Sequence, residues 1–149
     1  MTAYRYRESG LRNVFIHNME MTVDAAGDEV VAITNIYGLH RAIASSIVEH
    51  PNAIAPDELR FLRSEMGLTQ EALATLLNKD EQTIARWEKG KTAIDPNAEA
   101  LLRLITVERL SLDVEMSAQE AASRVLPGDV DQVVNIDGSD PGHYRPLAA

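Results

Sequence analysis

The four histidines, His17, His40, His50 and His143, are scattered along the chain without ligand spacing, and there is no cysteine. Zinc and related metals are held by clustered imidazoles and thiolates, so no metal site is expected. His40 stands beside Arg41, with Ser45 and Ser46 a turn later, but no carboxylate is spaced to orient the imidazole as a nucleophilic triad requires. Asp129, Asp131, Asp137 and Asp140 faintly resemble a cation loop. The glycine and terminal glutamate of a calcium loop are missing at the right offsets. Nothing here supports an enzyme, and no cofactor is expected. Binding chemistry concentrates between Thr69 and Lys91, where hydroxyls, amides and the cations Lys79, Arg86, Lys89 and Lys91 gather.

Those side chains must be positioned by helices. Pro56 suits a first helical position, and Asp57 and Glu58 place negative charge in the first turn, where the helix dipole favours it. Leu59, Leu62 and Met66 form one stripe, and Gly67 ends that helix. Thr69 caps the next, which Leu73, Ala74, Leu76 and Leu77 fill. Asp80 caps a third helix, Glu81 to Glu88, which carries Ile84 and Trp87 and stops at Gly90. Ile84 and Trp87 are three residues apart and face inward. Glu81, Gln82, Thr83, Ala85, Arg86 and Lys89 remain outside. Asp95-Pro96 opens a fourth helix running to about Leu112. Its apolar residues, Leu101, Leu102, Leu104, Ile105, Val107, Leu110 and Leu112, spread too widely for one stripe. Either an N-terminal unit or a second copy of the chain must cover it.

The run QEALATLLNKDEQTIARWEK, Gln70 to Lys89, resembles the helix-turn-helix of the lambda-repressor-like (Cro/cI, or XRE) family. With its flanking helices the resemblance extends from about Pro56 to Leu110. Ala74 falls where the two helices cross and only a small side chain allows close approach. Asn78 occupies the turn, where the family usually has glycine because the backbone needs positive φ. The resemblance implies that Glu81 to Glu88 enters the major groove of DNA by its N-terminal residues. Gln82 would then pair with adenine and Arg86 with guanine, each adding roughly 1–3 kcal/mol of discrimination. Thr83 reaches a thymine methyl or a phosphate, and Glu81 either accepts from cytosine or repels the backbone. Thr69 caps the helix that Gln70 opens, where the family holds phosphate, and Lys79, Lys89 and Lys91 complete the backbone grip.

Upstream, Asn13 to Thr34 alternates with period two through Val14 and Ile16, then Met19, Met21 and Val23, then Val31 and Ile33, around a turn at Ala26-Gly27-Asp28. This predicts two or three short antiparallel strands. Ile36, Leu39, Ile43 and Ile47 follow at helical spacing up to Pro51, so one helix packs across the strands. YRYRESGLRNVFI, this strand unit and GLHRAIASSIVEHP are similar to regulators related to MqsA-type antitoxins, without the cysteines that hold zinc in many of them. That resemblance implies an operon repressor able to neutralise a toxin. Downstream, Ser117 to Leu126 reads as a short capped helix, Val130 to Ile136 as a short strand, and the remainder as a mobile acidic end.

The fold class expected is α+β: a strand-plus-helix unit over 1–54, an all-α helix-turn-helix domain over 55–112, and an irregular acidic C-terminal extension over 113–149. The net charge of −9 is unusual for a DNA-binding chain, but over half of the excess lies in residues 111–149. The first residues lack the apolar core of a signal peptide, and no run approaches the roughly 18 apolar residues of a spanning helix, which reads as cytoplasmic. The expectation is a homodimeric repressor that binds double-stranded DNA. The alternative is an antitoxin-like protein whose partner is a toxin or another protein.

Overall fold

The computed structural model describes residues 3–20, 22–31, 33–123 and 133–147. In chain order these form β1 (Tyr4–Arg5), β2 (Val14–His17), β3 (Thr22–Val23), β4 (Glu29–Val30), α1 (Ile36–Glu49), α2 (Pro56–Glu65), α3 (Gln70–Leu77), α4 (Glu81–Glu88), α5 (Pro96–Arg109), α6 (Ala118–Ser123), β5 (Val134–Asp137) and β6 (Arg145–Pro146). The result is an α+β fold in which a helical region is flanked by N- and C-terminal strands that join one mixed sheet, ordered β1-β2-β5-β6.

The β2 strand explains why the sheet draws on both ends. Val14 and Ile16 are buried while Phe15 and His17 are half-buried, and β5 repeats the pattern with Val134 and Ile136 buried against Asn135 and Asp137. The two run parallel with Val14 opposite Val134 and Ile16 opposite Ile136, so four aliphatic side chains share one face. α1 packs on β5 and β6 and covers that face. Tyr144 Oη donates to the Thr34 carbonyl at 2.7 Å and Asn35 Nδ2 to the Pro141 carbonyl at 2.8 Å, tying the approach to β6 onto the start of α1. Gly138 is obligatory at the end of β5, because a Cβ there would stand 2.5 Å from Ile16 Cγ2 and 2.9 Å from Met19 Cγ.

Two expectations are corrected. The C-terminal segment is not an irregular acidic end: residues 133–147 supply half of the sheet, because Val134 and Ile136 complete an apolar face that β2 cannot bury alone. Residues 124–132, on which parts of the expected helix and strand fall, lie outside the described residues, as do Met21 and Ala32. The N-terminal strands are also not one antiparallel set. β1 pairs antiparallel with β2, but β3 and β4 form a separate ribbon, exposed on both strands, around the expected turn at Gly27.

A continuous core runs from Tyr6, Leu11 and Val14 through α1 into Leu59, Leu62, Leu73, Ile84 and Trp87. His40 bridges the two regions: one ring nitrogen meets Tyr6 Oη at 2.7 Å and the other Glu65 of α2, with Phe61 against the ring. α5 is enclosed by α1, α3 and α6, and Leu101 stays 37% exposed. Its fully buried Arg103 points its guanidinium at the end of α1. Nη1 donates to the carbonyls of Ile47 at 3.2 Å, Val48 at 2.6 Å and His50 at 3.1 Å, and Nη2 to that of Asn52 at 2.7 Å. A cation there meets the negative end of the helix dipole. Glu99, one turn earlier and equally buried, accepts from the Ile54 amide at 2.6 Å, and its other oxygen stands 3.9 Å from Arg103 Nη2. Burial raises the Glu99 pKa, against the lowering effect of the Ile54 amide and the Arg103 charge.

Candidate nucleic-acid interface

The segment from Thr69 to Lys91 folds as its local chemistry dictates. Thr69 accepts from the Ala72 amide at 3.0 Å and starts α3, which buries Leu73, Ala74 and Leu77. Asn78 ends it in the left-handed region at φ 57° and ψ 43°, and the Lys79 amide returns to the Ala74 carbonyl at 2.9 Å. Asp80 Oδ1 then accepts from the Thr83 amide at 2.8 Å and from its hydroxyl at 2.9 Å, and these two bonds lower the Asp80 pKa. α4 packs on both α2 and α3 through buried Ile84 and Trp87. Ala74, Ile84 and Trp87 are buried, and Asn78 stands in the left-handed region between the two helices.

The far end of α4 is pinned by a contact that spacing alone did not reveal. Glu88 takes a two-pronged bond from Arg63 of α2, Nε to Oε2 at 2.6 Å and Nη2 to Oε1 at 3.0 Å. Arg63 Nη1 also donates to the Leu68 carbonyl at 3.0 Å. Gln70 Nε2 adds a bond to Glu88 Oε1 at 3.2 Å. A forked guanidinium–carboxylate pair fixes orientation as well as distance, so α2, α3 and α4 are locked at one point. The only local signal was an acid in the last turn of α4, where the dipole disfavours it.

Outside this frame the structure leaves Thr69, Glu81, Gln82, Arg86, Lys89 and Lys91 exposed. Gln82 and Arg86 share one face of α4, with Arg86 Nη2 3.5 Å from Gln82 Oε1. Thr83 is half-buried and occupied with Asp80. Gln70 is half-buried with its amide on Glu88, and Lys79 Nζ lies 3.4 Å from Asp95 Oδ2. The result is a rigid helix presenting an amide and a guanidinium side by side, with cations where the chain leaves it.

Comparison with known proteins places this segment. Residues 59–111 match the family described as Helix-turn-helix. They are a helix-turn-helix domain of the XRE/Cro-cI type, and that domain implies DNA binding. Antitoxin HigA-2 of Vibrio cholerae serotype O1 is 31% identical over 52 residues, 35% of this chain and 50% of that protein. Type II methyltransferase M.MspI of Moraxella sp is 27% identical over 71 residues, 48% of this chain and 17% of that protein. The matches therefore span half or less of these relatives' own lengths. No solved structure matches the chain. Among the described residues no helix is long and apolar enough to cross a membrane.

Proposed function

We propose that this chain is a sequence-specific transcription regulator that reads the major groove with α4 and acts as a homodimeric repressor. The observation that carries the reading is the pairing of an exposed Gln82 and Arg86 on one face of a helix fixed at both ends, by the Asp80 cap and by the Arg63–Glu88 fork. A preorganised amide and guanidinium can each make two parallel bonds to a purine edge, Gln82 to adenine and Arg86 to guanine. Exposed Thr69, Lys89 and Lys91 surround them as backbone contacts, Gln70, Thr83 and Lys79 join by exchanging their bonds to Glu88, Asp80 and Asp95, and Glu81 either accepts from cytosine or repels the backbone. One such module grips little DNA, whereas two in fixed register read half-sites roughly 34–36 Å apart.

The test is binding to fragments of the DNA upstream of the chain's own gene. Arg86→Ala and Gln82→Ala should each weaken the preferred fragment by roughly 1–3 kcal/mol and relax preference at one base position. Unchanged affinity and preference in both variants would remove direct readout. A second reading draws on the similarity to antitoxin HigA-2: the chain sequesters a toxin-like protein, with DNA binding secondary. Co-purification with the product of a neighbouring gene, together with upstream DNA left unbound, favours it.

A further inference from the structure

We infer that the loop between β1 and β2 extends the DNA interface, with Arg12 gripping a backbone phosphate across a cleft from Lys89 and Lys91. The inference rests on the DNA-binding reading above. A cleft of about 730 Å³ separates residues 10–14 from residues 88–93, with residues 53–58 as its third side, and Arg12, Lys89 and Lys91 all line it. The wall formed by residues 88–93 is the segment by which the chain leaves α4.

The charges around this cleft are unequally engaged. Of its acids, Glu88 is paired with Arg63, whereas Glu58 accepts from the Ala55 amide at 2.9 Å and meets His50, and Asp57 accepts from the Glu58 amide at 3.0 Å, so these two keep their charge on the third side of the cleft. Arg12, Lys89 and Lys91 are exposed, and among the described residues no carboxylate forms an ion pair with any of them. Arg12, Lys89 and Lys91 on two sides outweigh Asp57 and Glu58 on the third, which leaves a local positive excess in a chain of net charge −9 and a place for a phosphate.

Arg12 is also carried on a fixed loop. Buried Leu11 and Val14 flank it, the Tyr6 amide donates to the Val14 carbonyl at 2.9 Å, and Arg5 Nε donates to the Arg12 carbonyl at 2.9 Å. Its side chain therefore starts from a set position and brings Arg5 close behind it. A phosphate held here would fix the register of the whole sheet-bearing unit on the duplex while carrying no sequence information.

The experiment compares the full chain with its Arg12→Gln variant on the upstream duplex that the full chain binds most tightly, from about 50 to about 200 mM salt. The substitution keeps the Arg12 carbonyl and touches no buried group. Arg109→Gln, an exposed arginine at the end of α5, serves as the control. One lost phosphate contact should make the slope of log affinity against log salt shallower by about 0.9, so that the advantage of the full chain shrinks about 3.5-fold over that range. The same change should appear on a duplex of scrambled sequence, and Arg109→Gln should leave the slope untouched. Arg12→Gln binding with the slope and affinity of the full chain overturns the inference and leaves the DNA reading standing. A full chain that binds no upstream duplex overturns both.

Discussion

Replacing Arg103 with methionine removes the guanidinium at the end of α1 while keeping an unbranched apolar stem in the core. Four carbonyls then lose their donor, those of Ile47 and Val48 in the buried core and those of His50 and Asn52 at its half-buried edge, and Glu99 loses the positive charge 3.9 Å away. Hydrogen bonds from charged donors contribute about 1.5–3 kcal/mol each, but four bonds from one group do not add, since relaxation recovers part of the loss. Removing one partner of a buried charge pair costs about 3–5 kcal/mol, and that is the magnitude expected here. Against a total of about 5–15 kcal/mol for a typical domain, it is a large fraction. Urea unfolding followed by far-ultraviolet circular dichroism and by Trp87 fluorescence reads it directly. The midpoint should fall by about 2 M with the slope unchanged. Arg103→Lys restores the charge, but one ammonium cannot reach carbonyls spread from Ile47 to Asn52, so its loss should be intermediate. An Arg103→Met protein within about 1 kcal/mol of the parent, or an Arg103→Lys protein no better than Arg103→Met, refutes the assignment.

Because the Glu99 pKa is raised on folding, the folded state holds the proton more tightly than the unfolded chain, and this group's contribution falls as pH rises upward from the ordinary glutamate value of 4.5. Glu99→Gln should therefore gain stability relative to the parent as pH increases through that window, and a difference independent of pH in urea melts would contradict it. At Asn78, held at φ 57°, Asn78→Gly should unfold at an equal or higher temperature. Asn78→Val should lose roughly 1–2 kcal/mol, since a branched Cβ crowds the carbonyl in the left-handed region.

What could be read from the amino-acid order is what is decided locally. The caps Thr69, Asp80 and Asp95, the left-handed Asn78, the stripes of α2 to α4 and the Ser117 cap of α6 depend on residues a few positions apart. The partner of β2 was not legible, because parallel pairing with β5 joins segments far apart in sequence, and a four-residue strand followed by Asp137-Gly138-Ser139 looks like loop chemistry. Arg103 and Glu99 escaped for a related reason. Nothing near them in sequence marks them for burial, and only the arrival of the α1 terminus and the Ile54 amide makes it possible. In the candidate interface helical spacing gave the exposure of Glu81, Gln82, Arg86 and Lys89, but Thr83 and Ala85, expected outside, are half-buried, and the Arg63–Glu88 fork and the approach of Arg12 depend on how separate elements meet.

The bond from His17 to Asn135 joins residues 118 positions apart. During synthesis the helix-turn-helix can complete itself long before β5 leaves the ribosome, while β2 waits with an open edge. Closing so long a loop adds little to its entropic cost beyond that of a shorter one, but it makes sheet formation late and slow. Every nascent copy offers the same vacant edge in that interval. Until β5 arrives, that edge is a place where a foreign strand could add, while the helix-turn-helix is already complete.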